Sequence, residues 1–444
     1  MRSKNSARSV RIARPGAWTA PLAMWTLLLV LGAATAGATT YLDTGFGTPL
    51  GASSARALAV GSTGISLRTG SEALFLNPAM LAADSLHVTL DLALGVTQVS
   101  EDRLVALFDS FDSFLDETGV AYNRNTYGML SGGLVWKLPS DSPMSLGIGV
   151  FDRYDFNYDY FEEFRNPDGT SPTRDELLQN RELNIGGRLR SLSAGYSSGV
   201  FPKMTLGASL HRYFGDIERD RRVQDFVRNT HEETLEQQAL DGWGWSVGGS
   251  GHATERVDLG ASFEGPFTVD GTRTVIHKGA AAGVPDTTSS SNAEVKYPGT
   301  LRFGGTYSPR NLLRTTFSVE MERRFWKQID TRVAGVFGDS VDVRDTWELR
   351  VGLEHILYNG LPMRFGFRYL QNYADPESER SIFSAGIGYK IAGFAVDVTG
   401  LYHRQTSRQD FLFDPSYLTF QAPDTLEKVE DSIVQLVLGV SRSF

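Results

Sequence analysis

The sequence predicts an all-β protein: a transmembrane antiparallel β-barrel of 14 strands with an N-terminal hatch, or plug, inside its lumen. Three observations lead there. From Ser85 to Phe444, fourteen runs alternate apolar with polar residues, the period of a half-buried strand. The connections between these runs alternate between short and long, as in barrels with short turns on one side of a membrane and long loops on the other. No segment of the mature chain approaches the roughly 18 consecutive apolar residues of a spanning helix, so a crossing has to be made by strands closed on themselves.

At the N-terminus, Arg2, Lys4, Arg8, Arg11 and Arg14 precede the apolar run Leu22–Leu31 and the small residues Ala33–Ala38. This reads as a secretory signal over residues 1–38, cleaved at Ala36-Gly37-Ala38. The apolar run is too short for an anchor of about 20 residues. Cleavage removes five of the 43 Lys/Arg and none of the 52 Asp/Glu, taking the net charge from −9 to −14. So acidic a chain excludes a nucleic-acid partner and a polybasic membrane-surface role. With no cysteine there is no disulfide scaffold, thiolate metal site or cysteine nucleophile.

Residues 39–84 form the expected hatch. Within Gly51–Leu81 the small residues Gly51, Ala52, Ser53, Ser54, Ala55, Gly61, Ser62, Gly64 and Gly70 let the backbone pack closely against walls. Leu58, Val60, Ile65, Leu67, Leu74, Phe75 and Leu76 set it apart from a flexible linker. Arg56 is its first charge, and Pro78 forces a turn after Asn77.

Residues 85–444 supply the barrel. Tight turns at Pro139–Ser142, Phe201-Pro202, Thr254-Glu255, Ser308–Asn311, Tyr358–Gly360 and Ala392-Gly393 alternate with long connections, and Asn359-Gly360 is a strong hairpin signal. In the last run Val434, Leu436, Leu438 and Val440 share one face. Elsewhere the charges alternate with apolar residues: Glu320 and Glu322; Glu348 and Arg350; Arg364 and Arg368. An arginine facing lipid at mid-depth costs about 2–4 kcal/mol, so these rows belong to the lumen wall. In the connection Glu101–Thr118, Leu104, Phe108, Phe111 and Phe114 fall at helical spacing and predict an amphipathic helix. Phe411 and Phe413 open another apolar connection. These loop residues either capture an apolar ligand or pack the loops over the barrel mouth.

The hatch residues Gly51, Ala55-Arg56-Ala57-Leu58, Gly61, Gly64-Ile65, Glu72-Ala73-Leu74-Phe75-Leu76-Asn77-Pro78-Ala79 and Leu81 resemble the N-terminal signature of the outer-membrane long-chain fatty-acid and hydrocarbon transporters of the FadL/TodX type. They also resemble PorV-type barrels, which serve the type IX secretion system. The terminal Phe444 agrees with both. The resemblance implies a fourteen-stranded barrel in the outer membrane of a Gram-negative-type bacterium, with Asn77, Pro78 and Ala79 at the hatch constriction. It further implies outer-membrane lipid and a hydrophobic small molecule as partners, with passive passage and sideways exit; in the alternative, a secretion-system partner and a scaffold or shuttle role. The seven dispersed histidines show no metal-ligand spacing, and neither a phosphate loop nor a nucleophile elbow occurs, so no metal, cofactor or enzymatic activity is expected.

Overall fold

The structure is a computed structural model and describes residues 40–83, 88–108, 111, 113–139, 143–166, 176–279, 284–310, 314–329, 332–338, 340–413 and 426–444. The expected signal segment 1–38 lies outside them, as do Tyr417, Leu418 and Phe420 of the last long connection.

Fourteen antiparallel strands close into a barrel. They are β1 (Val88–Phe108), β2 (Phe114–Lys137), β3 (Met144–Asp155, resuming as Tyr158–Arg165), β4 (Leu177–Phe201), β5 (Met204–Asp225), β6 (Thr230–His252), β7 (Val257–Glu264, resuming as Phe267–Lys278), β8 (Thr287–Tyr297, resuming as Thr300–Tyr307), β9 (Thr315–Arg324), β10 (Thr346–Ile356), β11 (Pro362–Leu370), β12 (Arg380–Ile391), β13 (Phe394–Gln409) and β14 (Glu427–Ser443). The last strand returns to the first, from Thr89 opposite Ser443 to Leu104 opposite Lys428, which removes the open edge that lipid does not tolerate. Between β12 and β13, Ala392 and Gly393 both take positive φ, the two-residue turn whose twist suits a hairpin.

Outward-facing Leu90, Val96, Ile148, Leu192, Trp245, Val319, Phe365 and Leu436 make an exposed apolar band. The structure places Glu320, Glu322, Glu348, Arg350, Arg364 and Arg368 on the opposite face, all buried.

Four of the expected long loops are mostly strand. β1 and β2 run through Ser100–Asn125, β3 and β4 through much of Asn157–Glu182, β5 and β6 through Glu218–Asp241, and β7 and β8 through Asp270–Val295. At 21 to 25 residues, β1, β2, β4, β5 and β6 far exceed the roughly 9–11 that cross a bilayer. Beyond the apolar band the outer face is polar and the inner face mixes apolar core with buried ion pairs, so the two-residue apolar period fades although the ladder continues.

The expected helix over Glu101–Thr118 does not form. Leu104 and Phe108 belong to β1 and Phe114 to β2, with Leu104 opposite Gly119, Phe108 opposite Phe114, and an exposed Phe111 at the turn. The helical spacing is overridden by two ladders, because β1 also pairs with β14 up to Leu104, which sends Glu101 and Arg103 into the lumen.

Candidate functional site

The hatch fills the lumen through two short helices, α1 (Ala55–Ala59) and α2 (Ala73–Leu76), joined by irregular chain. Ser54 caps α1 by accepting from the Ala57 N–H at 3.2 Å. The buried Glu72 carboxylate ties the two helices together, accepting the Ser53 hydroxyl at 2.7 Å, the Ser54 hydroxyl at 2.8 Å and both backbone N–H groups. Burial pushes this carboxyl above its ordinary range against the pull of those four donors. At the end of α2 the extended Asn77 donates to the Ile65 carbonyl at 2.6 Å and to the Gly249 carbonyl of β6 at 3.1 Å, while its Oδ1 accepts the Ala79 N–H at 3.2 Å. The wall is cut away to receive this turn: a Cβ on Gly248 would stand 2.0 Å from Asn77 Oδ1, and one on Gly207 2.3 Å from the Pro78 carbonyl carbon. Asn77, Pro78 and Ala79 thus dock on β5 and β6. Arg56, by contrast, is half exposed beside Glu354 at 3.3 Å, lining an 840 Å³ opening at the short-turn end of the barrel.

The charged rows hold the hatch from the other side. Arg302 and Arg350 both reach Glu322, at 2.7 and 2.6 Å; Arg350 and Arg368 both reach Glu348, at 2.7 and 2.8 Å. Arg364 joins Glu354 and Asp397, each at 2.6 Å. Like charges stand directly opposite at Glu322–Glu348 and Arg350–Arg368, and the arginines reach diagonally or along the strand so that these buried charges meet opposite ones. Glu320 turns to the hatch instead, accepting the backbone N–H groups of Gly64 and Ile65 at 2.7 Å each, and Arg302 donates to the Phe75 carbonyl at 3.2 Å.

Above the hatch stands a column of buried aromatics. β7 breaks at Gly265-Pro266 and β8 at Pro298-Gly299, because proline cannot donate to the ladder. The breaks face each other, so Phe267 lies opposite Tyr297 and their rings stack at 4.8 Å, with Tyr213 stacked on the far side of Phe267 at 3.9 Å. Phe46 packs edge-on against Tyr297, Trp326 and Tyr373 at 6.1, 5.0 and 5.7 Å. Phe413 joins this core, stacked on Tyr160 at 6.1 Å, whereas Phe411 is half-buried and Phe111 and Phe114 are exposed. The two apolar connections thus differ: Phe111 and Phe114 share the exposed tip of the β1–β2 hairpin, whereas Phe413 belongs to the buried aromatic core.

The wall itself is interrupted between β2 and β3. Their backbone ladder spans six residue pairs, from Lys137 opposite Ser145 to Gly132 opposite Val150, just beyond Gly147 and Gly149. There β3 bulges inward, Phe151–Asp155 are all buried, and Tyr154 and Asp155 pair with Pro49 and Thr48 of the hatch. Side chains span the seam in place of the ladder: Asn125 donates to the Asp159 carbonyl at 2.6 Å, Asn123 accepts the Phe161 N–H at 3.0 Å, and Arg188 reaches from β4 to the Gly128 carbonyl at 2.5 Å. Asp152 sits between Arg188 and Arg190 at 2.8 and 3.0 Å.

Sequence analysis offers no account of the column, although Pro266 and Pro298 are its visible signal. For the seam, Gly147 and Gly149 are the local signal of a ladder that can weaken and admit a gap, though isolated strand glycines more often only relieve crowding. Which strands part there depends on which become neighbours.

A family model described as outer membrane protein transport protein (OMPP1/FadL/TodX) matches residues 37–409. The chain belongs to this family. The family is one of outer-membrane transporters of hydrophobic compounds, a channel and not an enzyme class, and the barrel has that transporter fold. Among solved structures, a Pseudomonas aeruginosa FadL homologue is similar at 14% identity and a TM-score of 0.64, covering 90% of this chain and 100% of that one. The Ralstonia pickettii toluene transporter TbuX is similar at 17% and 0.59, covering 91% and 100%, and the Pseudomonas putida toluene transporter TodX at 15% and 0.58, covering 90% and 99%. At these identities the likeness is one of fold. No curated protein sequence matches the chain.

Proposed function

We propose that this FadL/TodX-family barrel carries small hydrophobic compounds, hydrocarbons or long-chain fatty acids, passively across the outer membrane of a Gram-negative-type bacterium, releasing them sideways into lipid between β2 and β3. The observation that carries this is the missing backbone ladder above Gly132 and Val150, next to a lumen lined with aromatic rings. Each buried methylene gains about 0.8 kcal/mol, so a molecule moving from the aromatic column through the seam into the bilayer never has to be solvated. Flat rings suit stacking against Phe267 and Tyr297, and the similar TodX and TbuX structures are described as toluene transporters. The hatch blocks the straight route, which makes sideways exit the shorter path.

The test exploits the absence of cysteine. With cysteines at Asn125 and Asp159, which already touch across the seam, a short reducible cross-linker should stop uptake of labelled toluene or oleate by cells, and reduction should restore it. Uptake that continues through a cross-linked seam rules out the lateral route. No uptake under any condition, with a stoichiometric envelope partner recovered on the barrel, supports the scaffold or shuttle role instead.

A further inference from the structure

On the outside of the wall, β13, β14, β1 and β2 stand side by side, and their ladders bring outward residues into shared rungs. Tyr402, Val434 and Leu436 end the apolar band there, all exposed. The next rung above runs Arg404, Ser432, Ser100 and Arg124 across the four strands. Three strand spacings of about 4.8 Å set its two arginines roughly 14 Å apart along the wall. Four residues further up β13, Arg408 stands opposite Lys428 of β14. Arg124 and Arg408 are exposed and have no hydrogen-bond or ion-pair partner among the described residues. Arg404 holds Glu430, and Lys428 holds Glu117 at 2.7 Å and Glu430 at 3.1 Å. In the first pair the cation is the outer member, 61% exposed against 21% for Glu430. With Asp102 as the third carboxylate, four cations against three leave this patch at +1, in a chain whose net charge is −9.

In barrels with short periplasmic turns the long-strand end faces outward, so the patch borders the outer leaflet. An uncharged hydrocarbon gains nothing from it. A lipid with an anionic head does: its chains lie along Val96, Val434, Leu436 and Leu438, and its head meets guanidinium groups, whose planar fork suits phosphate oxygens. Arginines at the two ends of one rung suit a head that carries two phosphates held apart by a rigid spacer, such as a pair of sugars. We propose that this outer face of β13, β14, β1 and β2 binds a phosphorylated glycolipid of the outer leaflet, with its acyl chains on the apolar band and its phosphates on Arg404 and Arg124. Arg408 and Lys428 add positive potential above them. This goes beyond the transport reading and does not depend on the cargo.

The full chain, purified in detergent and immobilised, is incubated in mixed micelles with radiolabelled lipid A bearing two phosphates, or with the same lipid after phosphatase treatment, and bare resin corrects for carry-over. The phosphorylated lipid should bind at least about tenfold more tightly, the size of one hydrogen bond to a charged group. Arg124→Gln and Arg404→Gln should each weaken that preference and together erase most of it. Arg124 has no partner to strand, Glu430 keeps Lys428, and heat-dependent gel mobility shows that each barrel has formed. Lys296→Gln, on β8 at the far side of the barrel and beside Glu294 at 3.2 Å, should leave the preference intact. Equal binding of the two lipids overturns the inference, as does a preference that survives in the double variant or falls as far in Lys296→Gln. A preference that the parent loses on adding a chelator of divalent cations overturns it too, since a metal bridged by Asp102 and Glu430 would then hold the phosphates in place of the arginines.

Discussion

Arg188 of β4 passes the inward bulge of β3 and donates to the carbonyl oxygen of Gly128 on β2, at 2.5 Å, joining two strands that share no ladder there. The same guanidinium holds Asp152 at 2.8 Å. Arg188→Met should therefore loosen the seam and leave Asp152 to Arg190 alone, at a cost of about 3–5 kcal/mol for a buried pair deprived of one partner. In the cysteine-free chain, a single cysteine replacing the buried Met129 beside the seam reports this. Its reaction with a lipid-soluble maleimide should accelerate when Arg188 is replaced, and the thermal midpoint should fall. Unchanged labelling would mean that Asn123 and Asn125 hold the seam without it.

The fit of the hatch to the wall yields a second expectation. A methyl group on Gly248 meets Asn77 Oδ1 at 2.0 Å, whereas one on Gly400 meets nothing within 4 Å. Gly248→Ala should displace the Asn77-Pro78 turn and open the lumen, read as raised ion conductance in planar bilayers, while Gly400→Ala stays as tight as the parent. Equal conductance in the two variants would show that the hatch is held elsewhere.

How much of this was legible beforehand depended on what surrounds each residue. Val434, Leu436 and Leu438 could be read because lipid on one side and lumen on the other impose a two-residue period. The upper parts of β5 and β6 could not, since the outer face there is polar and the inner face intersperses Ile217 and Leu240 with charged residues, and the hairpin around Leu104 and Phe114 looked helical because spacings of three and four residues arise in a strand with apolar residues on both faces. Pro78 could be read as a stop because it lacks a donor. Its seat against Gly207 required knowing that β5 passes there. The same holds for Arg188, whose partner Gly128 is a neighbour only through the barrel's topology.

Glu320 is a wall carboxylate that accepts hatch backbone N–H groups, alongside wall donors such as Arg302 on the Phe75 carbonyl and Ser262 on the Leu76 carbonyl. It accepts two N–H groups, from Gly64 and Ile65, while Arg350 next to it is neutralised by Glu322 and Glu348. Glu320→Ala thus leaves two buried donors bare without stranding a cation, at about 1–3 kcal/mol for each donor. The barrel should still form, with its heat-dependent gel shift intact, but the Gly51–Leu81 stretch should become open to protease added from the short-turn side. A variant whose hatch resists protease as well as the parent's would place the grip in Asn77 and Arg302 instead.

Phe267 separates barrier from passage in the aromatic column. Its ring is stacked between Tyr213 at 3.9 Å and Tyr297 at 4.8 Å, and Tyr213 spends its hydroxyl on Glu264 at 2.8 Å. Truncation to alanine removes the middle ring and leaves a void that the two tyrosines, fixed by β5 and β8, cannot close, at about 3–5 kcal/mol. If the column is part of the route, Phe267→Ala should quicken uptake of a bulky fluorescent hydrocarbon while slowing that of toluene, which loses its stacking partner. Phe267→Leu, which refills the space without a flat face, should restore the thermal midpoint but not toluene uptake. That split tells a binding surface from mere packing: recovery of both by leucine would make the column a structural core, and the route would then have to run from the loops to the seam without crossing it.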